Sequence, residues 1–383
     1  MSQALESLFP SDREQAGPHH TTGILPFQSI RQMVRAGDIK AVLEITDGQI
    51  QPASLDLRLG DVAYRVRASF LPGPKATVQE KLDELGTTRI DLSSGAVLEK
   101  GSVYIVPLME HLSLKSDIAG FCNPKSSTGR LNIFTRVITD HAVEFERVRR
   151  GYRGPLYAEI SPCVFGVVVR TGSRLNQLRL RRGTPVQSRA ELARLVEDAQ
   201  LLNIAPDPTS IMKGSVPMTV DLAGDETTGL IGYRAKKHAD VIDYDEVGRY
   251  AIDDYWDRVY ANTRRTLILD PDDFYILASR ETVSIPPDHA AEMVAYDTLV
   301  GEFRVHYAGF FDPGFGYGED GTSRAKAVLE VRSHEVPFLL DDGQIVGRIV
   351  LERLLAVPEK IYGPAIGSSY QRQGLALSKH FKR

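Results

Sequence analysis

The chain has 383 residues, 42% of them hydrophobic and 25% charged, with 46 Lys and Arg against 50 Asp and Glu for a formal net charge of −4. This composition is that of a folded soluble protein of two or three domains, and it excludes whole-chain disorder and wholesale nucleic-acid binding. No run approaches the roughly 18 consecutive apolar residues of a membrane span, the start carries no signal-peptide pattern, and two cysteines, Cys122 and Cys163, suffice neither for a disulfide framework nor for a cysteine-rich zinc site. A cytoplasmic protein with neither membrane nor nucleic acid as partner is therefore expected.

Residues 1–25 are polar and aperiodic, with Pro10, Pro18, His19 and His20, and read as a mobile arm. A helix is predicted next, because Phe27, Ile30, Met33 and Val34 share one face and Gly37 suits its C-terminal stop. Beyond it, short apolar runs bounded by Gly, Pro, Asp and Asn, such as Val103-Tyr104-Ile105-Val106 and the run Ile345 to Leu351, mark a mainly β fold with minor α. Further helical signal is confined to residues 189–203 and to 244–262 around Trp256. Ile204-Ala205-Pro206-Asp207-Pro208 reads as a linker, dividing the chain into a first domain over 26–205 and a second over 206–383.

The two domains carry one repeated pattern. At a constant offset of 171 residues, Glu110 falls on Glu281, Ser113 on Ser284, Asp117 on Asp288, Glu159 on Glu330, Gly172 on Gly343 and Leu180 on Leu351. Agreement at both ends of a block of about 70 residues predicts two copies of one β domain.

Several chemistries are absent from this sequence. It has no Gly-rich phosphate loop ending in Lys-Ser/Thr and no His-Glu-x-x-His. Pro162-Cys163 is followed by no second cysteine, so the metal site of the zinc-dependent base deaminases is missing. Three polar sets remain. Asn123-Pro124-Lys125-Ser126-Ser127-Thr128-Gly129-Arg130 places hydroxyls and two cations in a turn suited to a polyphosphate. Asp312-Pro313-Gly314 forms a tight turn ahead of Glu330, and a strand carboxylate among apolar neighbours should have a raised pKa and serve as a general base. Glu159 holds the same repeat position in the first copy. The tail Tyr370-Gln371-Arg372-Gln373-Gly374 is suited to folding over a bound ligand.

In their order along the chain, Gln51-Pro52-Ala53-Ser54-Leu55-Asp56-Leu57-Arg58, the Ser126-Ser127-x-x-Arg130 turn, Asp312-Pro313-Gly314, the strand Glu and Tyr370-Gln371-x-Gln373-Gly374 resemble the dCTP deaminase branch of the dUTPase-like family. The resemblance implies two tandem dUTPase-like distorted β-barrel or jelly-roll domains, a homo-oligomer with sites at domain or chain interfaces, and Mg²⁺ accompanying a substrate triphosphate without zinc. It further implies that Lys125, Ser126, Ser127 and Arg130 bind the phosphates, with Ser126 and Arg130 also orienting the catalytic centre. Asp312 would accept from the sugar 3′-hydroxyl, Glu330 or Glu159 would activate water, and Tyr370 and Gln373 would close over the nucleotide.

The copies differ in a complementary way. The first keeps the Ser-Ser-x-x-Arg turn but has His141-Ala142-Val143 where the second has Asp312-Pro313-Gly314; the second has Tyr296, Asp297, Thr298 and Gly301 in place of Lys125, Ser126, Ser127 and Arg130. A composite site is expected, pairing the first copy's turn with Asp312 and Glu330 across an inter-domain or inter-chain interface and leaving Glu159 structural or vestigial. Gly309-Phe310-Phe311 stands where the family carries a His-Arg pair before Asp-Pro-Gly, so another cation, Arg136 or Arg304, is expected to substitute. The competing outcomes are dUTPase or bifunctional dUMP-releasing activity, and a non-catalytic regulatory nucleotide binder.

Overall fold

The computed structural model describes residues 20–86, 88–185, 188–198, 201–207, 210–211, 215–295, 303–306, 309–318, 324–333, 336–363, 370–371 and 373–382. They are mainly β, arranged as two copies of one distorted sandwich. In the first copy, Val103–Ser113 and Ile133–Thr139 flank Arg153–Pro162 in a six-stranded sheet, which faces a second sheet built on Ile118–Pro124 and Asn176–Arg182. The second copy repeats this, with Phe274–Val283 and Phe303–His306 flanking Ala325–Ser333, and His289–Ala295 paired to Ile345–Arg353.

The repeat holds at the level of single residue pairs. Glu159 stands opposite Ile105 and Leu178 opposite Cys122, while Glu330 stands opposite Ile276 and Ile349 opposite Met293, each partner 171 positions on. A slip of one residue would exchange the core and solvent faces of a strand, so burial of one face fixes this register.

The halves form one body. Val167 pairs in parallel with Ile242 of the second copy. Phe165 meets Tyr255 and Trp256 edge-on, each at 5.6 Å between ring centroids, and Phe381 packs 5.9 Å from Trp256. Trp256, Phe165 and Phe274 are essentially fully buried, and burying such rings contributes roughly 1.5–3 kcal/mol each. This shared core holds the first copy's polar turn against the second copy's strands.

Helix α1 (Phe27–Ala36) ends at Gly37, whose φ of 77° closes the helix as its sequence predicts. Helix α2 (Val78–Leu85) carries a capping box between Thr77 and Glu80. Helices α3 (Ser126–Gly129), α4 (Arg189–Asp198) and α5 (Ile252–Tyr255) complete the set among the described residues. Three expectations change. Residues 20–25 are no arm, because Gly23–Ile24 pairs with Arg182 and Arg181 and Ile24 and Leu25 are buried. The expected helix over 244–262 shrinks to α5, after which Trp256–Tyr260 forms a strand that buries Trp256 in the inter-half core. Leu192, Leu201 and Leu202 pack into the core of the second half, although they precede the expected boundary at 205.

Candidate active site

A cavity of about 240 Å³ opens between the two halves and is lined by Lys125, Ser126, Ser127, Gly129 and Arg130 from the first and by Asp312, Glu330, Tyr370 and Gln373 from the second. Every binding residue expected from the sequence thus meets in one place within a single chain, the inter-domain form of the expected composite site.

The turn leaves the strand Ile118–Pro124 and coils into α3. Lys125 pairs with the buried carboxylate of Asp56. Arg130 is 3% exposed; its guanidinium lies 3.8 Å from the centroid of the Tyr370 ring and donates to Gln373 Oε1 at 2.9 Å and to the Ala376 carbonyl at 3.0 Å. The tail therefore docks onto the turn through Arg130. Ser126 is half-buried on the cavity wall, while the buried Ser127 hydroxyl lies 3.2 Å from the hydroxyl of Tyr244, a residue of the second half. Tyr244 also meets Thr128 Oγ1 at 2.6 Å and donates to the Arg174 carbonyl at 3.0 Å. One tyrosine thereby fixes two hydroxyls of the turn.

Glu330 is 7% exposed, lines the cavity and makes no hydrogen bond or ion pair among the described residues; its Oε2 is buried without a partner. Burial holds its carboxyl well above the ordinary carboxylate range, against the opposing pull of Arg130. The carboxylate rests on Gly129, where a Cβ would come within 2.3 Å of Oε2, so only glycine admits this approach. Asp312 is also buried, which raises its pKa against the pull of Arg179. Its turn is shaped by Gly314 at φ 89° and by the Tyr362 amide donating to the Pro313 carbonyl at 2.7 Å.

Glu159, expected as a catalytic candidate, lies outside this cavity. Its Oε1 accepts from the Arg136 guanidinium at 2.5 and 3.1 Å, and Arg136 lies 3.4 Å from the centroid of the Phe145 ring. Arg136 is therefore committed to Glu159 and does not substitute at the Asp312 turn, while the side chain of Arg304 lies outside the described residues. The cation at that turn is Arg179 of the first half, which donates to the Ala291 carbonyl at 3.0 Å, the Phe311 carbonyl at 3.3 Å and Asp312 Oδ1 at 3.4 Å. Residues 296, 297, 298 and 301, the second copy's counterpart of the phosphate turn, lie outside the described residues.

Sequence reasoning assigned no role to Arg179, Tyr244, Asp56 or Lys379, all of which build or brace this wall. Asp56 lies within the Gln51 to Arg58 motif. The other three had no local signal, because the contacts that bring them here, Arg179 to Asp312, Tyr244 to Ser127 and Lys379 beside Lys125, each span more than 100 positions.

Among the described residues, no three His, Cys, Asp or Glu side chains converge as metal ligands, and no helix is long and apolar enough to cross a membrane.

The cavity thus sets hydroxyls and cations on one wall against a buried carboxylate on the other, in a paired-sandwich β protein. The 2′-deoxycytidine 5′-triphosphate deaminase N-terminal domain model matches residues 21–184 and the corresponding C-terminal domain model residues 188–381, so the chain belongs to the dCTP deaminase family. It is 30% identical over 162 residues to a dCTP deaminase of Shewanella amazonensis, a stretch covering 40% of this chain and 80% of that one. It is 31% identical over 170 residues to a dUMP-forming dCTP deaminase of Parafrankia sp., covering 43% and 79%. A crystal structure of 2′-deoxycytidine 5′-triphosphate deaminase from Agrobacterium tumefaciens superposes with a TM-score of 0.84 at 54% identity, covering 89% of this chain and all of that one.

Proposed function

We propose that the chain hydrolyses dCTP to dUTP and ammonia at the cavity between its halves, with Glu330 activating the water. The observation that carries this reading is the buried, unpartnered Glu330 carboxylate resting on Gly129 in a cavity that also holds the hydroxyl and cation turn. Glu330 takes a proton from water as the water oxygen bonds to C4 of the cytosine. It then returns that proton to the exocyclic nitrogen, the C4–N bond breaks and ammonia leaves, while the proton of the new C4 hydroxyl passes to N3 so that the uracil carbonyl remains. Such positioned proton transfer is worth roughly 10² to 10⁴ in rate, and a carboxyl with a raised pKa suits both directions of the transfer.

Lys125, Ser126 and Arg130 take the phosphates, Asp312 accepts from the 3′-hydroxyl, and Tyr370 and Gln373 cover the nucleotide from the tail. Mg²⁺ enters as part of the substrate on the phosphate oxygens. Asp56, whose buried Oδ1 has no hydrogen-bond partner among the described residues, is the carboxylate facing that end. A homo-oligomer and a cytoplasmic setting complete the proposal.

The test is a chromatographic product assay on dCTP with Mg²⁺, run beside dUTP and repeated with a zinc-selective chelator. The expected result is dUTP, formed equally with and without chelator. Accumulation of dUMP would instead place the chain with the dUMP-forming relatives, and dCTP bound but unchanged would leave a nucleotide-binding protein.

A further inference from the structure

Lys379 stands on the cavity wall six residues beyond Gln373. The other cations at and behind the cavity wall each hold a protein partner, Lys125 and Arg174 the carboxylate of Asp56, Arg130 the side chain of Gln373 and tail carbonyls, and Arg179 the carboxylate of Asp312. The nearby carboxylate of Asp245 accepts from Ser173 at 2.7 Å and from Arg170 at 3.4 Å. Among the described residues, no carboxylate forms an ion pair with Lys379 itself. Its half-buried side chain shares the cavity wall with Lys125; burial, then Lys125, hold its pKa below the usual lysine range, against the pull of Asp56 and Asp245. An anion held between Lys379 and Lys125 relieves their repulsion.

The backbone holds this ammonium in place. The Lys379 N–H donates to Tyr370 Oη at 3.0 Å, and its carbonyl accepts from the Gly248 N–H at 3.0 Å. On one side Ser378 donates to the Ser127 carbonyl at 2.8 Å, and on the other His380 Nε2 lies 2.7 Å from the Tyr244 carbonyl. None of these bonds uses the Lys379 side chain, so the position is pre-organised and the charge can be changed without undoing the tail. Glu330 rests on Gly129 with Arg130 as the cation acting on it, whereas Lys125 and Arg174 are the cations acting on Lys379.

We infer that Lys379 binds the distal phosphates of the nucleotide and gauges the length of the phosphate chain, setting the preference for a triphosphate over a monophosphate. This rests on the deaminase reading above. The test measures kcat and KM of wild type, Lys379→Met and Lys379→Arg on dCTP and dCMP at fixed Mg²⁺, together with calorimetric binding of inorganic tripolyphosphate. Lys379→Met should raise KM for dCTP about 10- to 100-fold, the scale of one charge-assisted contact, with kcat changed less than about threefold. It should weaken tripolyphosphate by a similar factor, and Lys379→Arg should recover most of both. The loss on dCMP should stay within about threefold, so the triphosphate preference collapses with KM. Equal losses on dCTP and dCMP, or an unchanged KM for dCTP, would overturn the inference, the first by showing a structural role in tail docking. If wild type turns over no cytosine nucleotide, the deaminase reading falls instead, and tripolyphosphate binding alone then decides for or against Lys379.

Discussion

Glu330 and Glu159 occupy the same position of the same strand in two copies of one fold, opposite Ile276 and Ile105, yet their surroundings differ in kind. Glu159 is 1% exposed and held by Arg136, which is itself stacked between Phe134 and Phe145. Glu330 has no such cation in contact and faces the cavity across a glycine. A buried carboxylate tied to a guanidinium is a structural ion pair, and one left without a partner is chemically available. The strand supplies only the position. The neighbour that each half places beside it decides the role, and the second copy's carboxylate finds its neighbour in the first copy's turn.

The comparison breaks most sharply under exchange of each carboxylate for its amide. Glu330→Gln should lower kcat roughly 10²- to 10⁴-fold without lowering the melting temperature. The sign follows from the raised pKa. Glu330 contributes stability below its ordinary value of 4.5, and this is lost as pH rises through the folded-state value, so above that value the buried carboxylate is a burden on the fold that glutamine removes. Glu159→Gln should do the reverse, leaving kcat within about twofold while costing about 1–3 kcal/mol through the weakened Arg136 contact. Thermal melts and steady-state rates on both variants decide the matter; a Glu159 variant that is stable but inactive would transfer the catalytic role to the first copy.

The same carboxyl sharpens the contrast through pH. If Glu330 must be ionised to take the proton from water, the acid limb of kcat/KM should lie well above the usual carboxylate range, because burial raises its pKa. Arg130 opposes that rise, so Arg130→Gln should move the limb to still higher pH in addition to weakening substrate binding. A limb unmoved by that substitution, or one at the ordinary value of 4.5, would detach Glu330 from the rate.

Arg179 brings the halves together at the Asp312 turn. Its fork reaches two carbonyls and Asp312 of the second half while its plane lies 3.9 Å from the centroid of the Phe310 ring. Arg179→Lys keeps the charge but loses the planar fork, so KM for dCTP should rise about tenfold with a smaller change in kcat, as expected of a residue that positions Asp312. A fall confined to kcat would assign Arg179 to the chemical step instead.

The degree to which this site was legible tracks the range of the interactions that build it. The repeat, the mainly β class and α1 follow from apolar periodicity and turn residues, which are local. The meeting of the Ser126 turn with Glu330 was legible because each copy lacked what the other kept, a non-local inference that the internal repeat made possible. Arg179 and Tyr244 were not, since nothing near either in sequence marks it as a partner of Asp312 or Ser127. The helix expected around Trp256 failed because burial against Phe165 and Phe381 outweighs the local signal and draws that residue into a strand.

Helix α2 offers the gentlest test of the division between the halves. Its local signal, Thr77-Val78-Gln79-Glu80, is a capping box that sequence patterning alone could have marked. In the structure the helix covers the first copy's counterpart of the Asp312 turn. The Ala142 carbonyl accepts from Gly73 at 3.0 Å, the His141 amide donates to Ala76 at 3.1 Å, and Val78 donates to Asp140 Oδ1 at 2.9 Å. Val78 and Leu82 pack there against Ile138, Ala142 and Tyr157. The first copy thus seals the place that the second copy keeps open. Thr77→Ala removes the cap and should cost about 1 kcal/mol, with dCTP turnover unchanged because no residue of α2 reaches the cavity. Turnover that falls together with the cap would mean that the sealed half still communicates with the open one.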